Sequence, residues 1–125
     1  MSGYSVNIEK ATLDNKNFRK VLFTGPKSQL VVMALKPGED IGKEKHPKTD
    51  QFVRVEAGKA KAEIGGKEYR LKEGSAVVIP AGTVHNIINT SKEETLKLYT
   101  IYTPPEHPDG TIHKTKAAAE KAEKH

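Results

Sequence analysis

The residues best suited to chemistry in this 125-residue chain are a histidine placed behind a sharp turn and a few polar side chains at strand spacing upstream of it. Residues 74–89, GSAVVIPAGTVHNIIN, begin with an apolar, β-branched run at 76–79 that fits a buried strand. Pro80 ends that run because it cannot donate to a sheet ladder, and Gly82 tolerates the positive φ that a tight turn requires. His85 follows on a resumed extended segment, 84–89, where scaffold rather than loop holds it, as suits a metal ligand or a catalytic group. Glu44 and His46 are two apart and share one face of an extended segment, while Gln51 shares a face with Val53 and Val55. There is no cysteine, so thiolate and disulfide chemistry are excluded, and a metal would have to be held by His, carboxylate, amide or water. Further downstream, Tyr99, Tyr102, His107 and His113 are candidates for substrate contact.

Short strands must position these groups. The pattern predicts them at 4–8 (an edge strand), 18–23, 30–35, 41–46, 51–55, 60–64, 69–71, 76–79, 84–89 and 96–102. Gly or Pro marks nearly every joint, including the two-residue hairpin turn Gly65-Gly66 and the stop at Pro104-Pro105. In 60–64, Lys61 and Glu63 take one face and Ala60, Ala62 and Ile64 the other, the alternation of a half-buried strand. About ten such strands predict an all-β antiparallel barrel or sandwich in one domain, 1–125, with the barrel at about 18–103. The tail, about 104–125, is irregular over 106–115 and then rich in Ala, Glu and Lys over 117–124, which predicts a short C-terminal helix.

Gly74, Pro80, Gly82, His85 and Asn89, spaced G-x5-P-x-G-x2-H-x3-N, match the second motif of the cupin superfamily at every fixed position. Residues 38–58 resemble the first, G-x5-H-x-H-x3,4-E-x6-G, with Glu44 and His46 at the His pair, Gln51 at the Glu and Gly58 closing the pattern. The resemblance spans roughly residues 30–102 and implies a double-stranded β-helix, or jelly-roll barrel, around one divalent transition metal (Zn, Fe or Mn). The implied ligands are Glu44, His46, Gln51 and His85, with Glu and Gln where His and Glu are usual. Asp50 sits at the shorter family spacing, but only Gln51 keeps six residues to Gly58, and register decides facing. The chain is also similar to small phosphomannose isomerase-like cupins, through IGKEKH, DQF and LKLYTIYTPPEHPDGTIHKTK. A carboxylate, an amide and two histidines buried unpaired would cost several kcal/mol, so a cation is their natural partner. Two histidines and a carboxylate suit Fe(II), Mn(II) or Zn(II), with Gln51 as a neutral oxygen ligand or a donor to metal-bound water.

The expected function is a metal-dependent, isomerase-like enzyme acting on a small polar or anionic metabolite, a sugar or carbonyl compound. Glu44 (if unligated), His107, His113 and Tyr99 are its catalytic candidates. An Fe-dependent oxygenase, a non-catalytic small-ligand-binding cupin and a barrel with a decayed site are the alternatives. Lys48 and Arg54 are possible anion contacts, though Arg54 alternates outward from Gln51. The net charge of +5 comes from scattered lysines without interleaved aromatics, so no nucleic-acid partner is expected. Apolar runs fall far short of about 18 residues and no basic, apolar leader opens the chain, so a cytoplasmic protein with no membrane partner is expected. The edges of an open jelly roll favour a homodimer.

Overall fold

The computed structural model describes residues 2–123. Helix α1 (Ile8–Asp14) precedes strands β1 (Arg19–Thr24), β2 (Gln29–Leu35), β3 (Asp50–Ala57), β4 (Ala60–Ile64), β5 (Lys67–Leu71), β6 (Ala76–Ile79), β7 (His85–Asn89), β8 (Leu96–Thr103) and β9 (Ile112–His113). Helix α2 (Lys116–Glu123) follows. The strands form two antiparallel sheets, β6-β3-β8-β2-β1-β9 and β5-β4-β7, which face each other as a double-stranded β-helix. Alternation places the inner residues: along β8, Leu96, Leu98, Thr100 and Tyr102 are buried and the residues between them are not. Val31, Met33, Leu35, Val53 and Val55 of the larger sheet meet Ala60, Ala62, Leu71 and Ile87 of the smaller one. Burying each large aliphatic side chain in this layer contributes about 1.5–3 kcal/mol. Gly58 turns β3 into β4 at φ +92, and a Cβ there would lie 3.0 Å from the Thr95 carbonyl oxygen and 3.1 Å from Leu96 Cα. Conformation and contact therefore both demand glycine.

Three expectations are corrected. Residues 4–7 form no strand, and Ile8 opens α1, because the Asn7 side chain caps it by accepting from the Lys10 amide at 3.0 Å. The weak alternation there yields to this cap, and Tyr4 instead stacks on Phe23 with ring centroids 5.2 Å apart. Residues 41–46 form no continuous strand either; the segment pairs with β7 through the isolated bridges Asp40–Ile88 and Glu44–His85, and the Gly42 amide donates to Asn86 Oδ1 at 3.0 Å. The tail, in contrast, is more ordered than expected: Ile112 and His113 pair with Lys20 and Arg19, adding β9 to the free edge of β1. A two-residue strand carries no periodicity of its own. The expected helix over 117–124 begins one residue earlier, at Lys116, and its last position, Lys124, lies outside the described residues. Among the described residues, no helix is long and apolar enough to cross a membrane.

Candidate metal centre

The centre is built on one backbone bridge. The Glu44 amide donates to the His85 carbonyl and the His85 amide to the Glu44 carbonyl, both at 2.8 Å, which sets the two side chains directly opposite on one face. His46, two residues on, joins that face, and the Gly82 amide of the Pro80 turn fixes it by donating to the His46 carbonyl at 2.9 Å. The ligating atoms of Glu44, His46 and His85 all lie within 4.8 Å of one another, with both histidines buried and Glu44 half-buried. His85 Nδ1 lies 2.9 Å from the Thr83 carbonyl oxygen, which only accepts. That oxygen fixes the proton on Nδ1 and leaves Nε2 as a lone-pair donor toward the cluster.

His46 is flanked by two carboxylates, with Nε2 2.9 Å from Glu44 Oε2 and Nδ1 3.0 Å from Glu106 Oε1. The Nε2 contact is close but poorly directed, and that atom makes no satisfied hydrogen bond. The Glu44 carboxylate beside Nε2 raises the His46 pKa above the usual histidine value against the opposing effect of burial, and Glu106 adds to the rise. Burial pushes the Glu44 carboxyl up, but the interactions with His46 outweigh it and hold it below its ordinary value. The two carboxylates thus make this a place where positive charge is favoured.

Gln51 is buried on the inner face of β3, opposite Tyr102. Its amide nitrogen donates to Thr100 Oγ1 at 3.1 Å and, at the 3.5 Å limit, to the Tyr102 hydroxyl. Its Oε1 is buried without a partner among the described residues. An acceptor left over after both amide hydrogens are directed elsewhere fits a cation or a cation-bound water. Asp50 points outward and accepts from the Ala81 amide at 2.8 Å. Tyr99 is removed from the candidates, since the alternation of β8 turns it to the outer face, 6.1 Å from the Phe52 ring, while Tyr102 points inward. Arg54 is engaged with Glu56 at 2.8 Å, and Lys48 is exposed.

The tail folds across the mouth of the barrel. Glu44, His46, Glu106, His107, His113 and Glu123 all line one cleft of about 560 Å³. A second cleft, of about 630 Å³, reaches His85 from the side of the Gly65-Gly66 hairpin but touches neither Glu44 nor His46. The first therefore gives access to the cluster from its carboxylate side. The tail is clamped by Gln29, whose amide nitrogen donates to the His107 carbonyl at 2.7 Å and to Thr24 Oγ1 at 3.0 Å. Gln29 Oε1 accepts from the amides of Glu106, at 3.2 Å, and His107, at 3.0 Å. Sequence reasoning missed Gln29, Glu106 and Arg19. A buried-phase polar residue in β1 and another in β2 were the available signals for Arg19 and Gln29, and nothing local marked Glu106.

The His107 ring stands edge-on to Tyr102, with centroids 5.1 Å apart, and its Nε2 is buried without a partner among the described residues. Burial, reinforced by the nearby Arg19 charge, pushes its pKa down to about 3. The unfolded chain takes up this proton near pH 6.5, whereas the folded chain resists until about pH 3, so in that window the unfolded state binds more protons. His107 thus contributes stability above pH 6.5 that is lost as the pH falls toward 3. In thermal melts between pH 7 and 4, His107→Gln is expected to lose less stability on acidification than the wild type. Equal slopes would refute this assignment.

A family model described as a cupin domain, Cupin_2, matches residues 31–102. The chain is 48% identical to the uncharacterized protein YrkC of Bacillus subtilis, over 96% of its own length and 67% of that protein's. It is 51% identical to the uncharacterized protein L612 of Acanthamoeba polyphaga mimivirus, over 87% of this chain and 70% of that one. Among solved structures, BH2720 from Bacillus halodurans superposes with a TM-score of 0.93 at 44% identity, covering 96% of this chain and 95% of that one.

Proposed function

Since the chain belongs to the cupin domain family, we propose that it is a metal-dependent enzyme acting on a small polar or anionic carbonyl compound, in the manner of an isomerase. The observation that carries this reading is the convergence of Glu44, His46 and His85 within 4.8 Å beside the unpartnered Gln51 Oε1. Glu44, His46 and His85 would hold the ion, with Gln51 Oε1 as a neutral oxygen ligand or a partner of bound water. A Zn, Fe or Mn ion there supplies Lewis-acid polarisation of a substrate oxygen.

The chain's own residues supply the rest. Glu106, 3.0 Å from His46 Nδ1, orients that imidazole and increases its basicity. Burial pushes the Tyr102 phenol well above its ordinary pKa, so it remains a hydroxyl donor. His107, held neutral by burial, offers its unpartnered Nε2 to a hydrogen bond with a substrate lying in the cleft. The Gln29-clamped tail forms one wall of the cleft through Glu106 and His107. Two histidines and one carboxylate also match the facial triad of Fe(II) oxygenases, and this supports oxygen-dependent oxidation as the second reading.

Protein purified under metal-replete conditions is expected to carry about one transition-metal ion per chain by elemental analysis. Interconversion of aldose–ketose pairs supports the isomerase reading, and substrate-dependent oxygen uptake the oxygenase reading. Ligand-induced thermal stabilisation without turnover identifies a binding module, and protein lacking stoichiometric metal overturns both catalytic readings.

A further inference from the structure

Arg19 lies on the inner-facing phase of β1 and is 1% exposed. Its Nη1 lies 3.3 Å from His113 Nδ1 and 3.5 Å from Glu123 Oε1, both long contacts for a charged donor. Because a guanidinium only donates, His113 Nδ1 accepts and its proton sits on Nε2. Among the described residues, Arg19 Nε has no partner. Its Cζ lies 5.4 Å from the Phe18 ring centroid, but a buried guanidinium with five donors and only two long hydrogen-bond contacts is under-satisfied, at a cost that a firmly paired anion would offset. The two polar side chains it meets, His113 and Glu123, line the same cleft as Glu44 and His46.

We propose that Arg19 recognises the carboxylate of a small carboxylic-acid substrate in this cleft, and that the Glu123 carboxylate at the end of α2 occupies that position until the substrate displaces it. The role of substrate recognition rests on the reading above; the anion site itself does not. The two Nη groups form the end-on edge of the guanidinium, a fork that grips a planar carboxylate with two parallel bonds, and Glu123 reaches this edge only through Nη1. The group already facing Arg19 is a carboxylate, and its side chain is 56% exposed, so displacing it uncovers little. Helix α2 is tied down elsewhere, through the Lys116–Asp40 ion pair and buried Ala119, so only its last turn needs to move.

The test titrates malonate, and separately inorganic phosphate, into the full-length protein by calorimetry at constant ionic strength, with the protein either chelator-treated or loaded with Zn(II). Malonate is expected to saturate the metal-free protein and to bind more tightly than phosphate. Glu123→Gln, at a largely exposed position that should not disturb folding, is expected to tighten malonate binding by about three- to tenfold, and Arg19→Gln to weaken it by about tenfold or more. If Arg19→Gln does not fold, Glu123→Gln alone decides. No saturable malonate binding to Glu123→Gln, an affinity equal to wild type, or tighter binding of phosphate overturns the proposal. Failure of Zn(II) to bind while Glu123→Gln still tightens malonate would overturn the metal reading and leave the Arg19 site standing. Zn(II) binding with malonate affinity unchanged in Glu123→Gln would do the reverse.

Discussion

Replacing His85 with alanine is expected to lower transition-metal affinity by more than about 100-fold, beyond the loss typical of a partner outside the ligand set. His85 contributes its Nε2 to the Glu44–His46–His85 cluster, and the Nδ1 contact to Thr83 commits the other nitrogen. The backbone bridge to Glu44 does not involve the imidazole, so the fold should persist while the cluster loses a ligand. Competition with a chromophoric chelator measures the affinity, and circular dichroism checks the fold. Glu106→Gln should lower the affinity less, by about 10- to 100-fold, because it touches His46 from the side away from Glu44. Unchanged metal content in His85→Ala would mean that the metal, if any, binds elsewhere and that the barrel interior is structural.

Gln29→Leu is expected to destabilise the protein by about 2–4 kcal/mol, a fall in Tm on the order of 10 °C. One buried amide holds four bonds here: two donated, to Thr24 and the His107 carbonyl, and two accepted, from the Glu106 and His107 amides. Leucine fills similar space but leaves those backbone groups facing an apolar side chain unless the tail lifts. The expected signature is therefore local as well as global, with faster hydrogen exchange at the Glu106 and His107 amides and easier proteolysis within residues 104–111. Exchange at these amides unchanged from wild type would show that the tail is held by other contacts. Because the lifted tail carries Glu106 and His107 with it, the same variant should also weaken metal binding, which separates a clamp from a purely structural glutamine.

Much of the scaffold was legible because its signals are short-range. Gly65-Gly66 joins β4 to β5 with φ of +57 and +83, as a two-residue hairpin between alternating strands requires. Period-two alternation placed Gln51 with Val53 and Val55, and these three are buried together while Asp50 is exposed. The same rule does not set the phase: in 96–102 it puts Tyr99 and Tyr102 on opposite faces, and only the pairing of β8 between β2 and β3 turns Tyr102 inward and Tyr99 outward. Weak alternation at residues 4–8 lost to a local cap, the equally short-range interaction of Asn7 with Lys10.

By itself, the sequence determined the strands between 18 and 102 other than 41–46, the turns at Gly58, Gly65-Gly66 and Pro80–Gly82, and the histidine motif around His85, since each depends on neighbours a few residues apart. Only the tertiary structure decided what surrounds that histidine. The Glu44–His85 bridge, the Glu106 carboxylate beside His46, the Gln29 clamp and the meeting of Arg19 with His113 and Glu123 join residues 41 to 104 positions apart. No periodicity encodes such contacts. Those of the tail form because β9 pairs with the free edge of β1 and the tail must satisfy its backbone groups on a buried amide, and both constraints exist only once the barrel has closed.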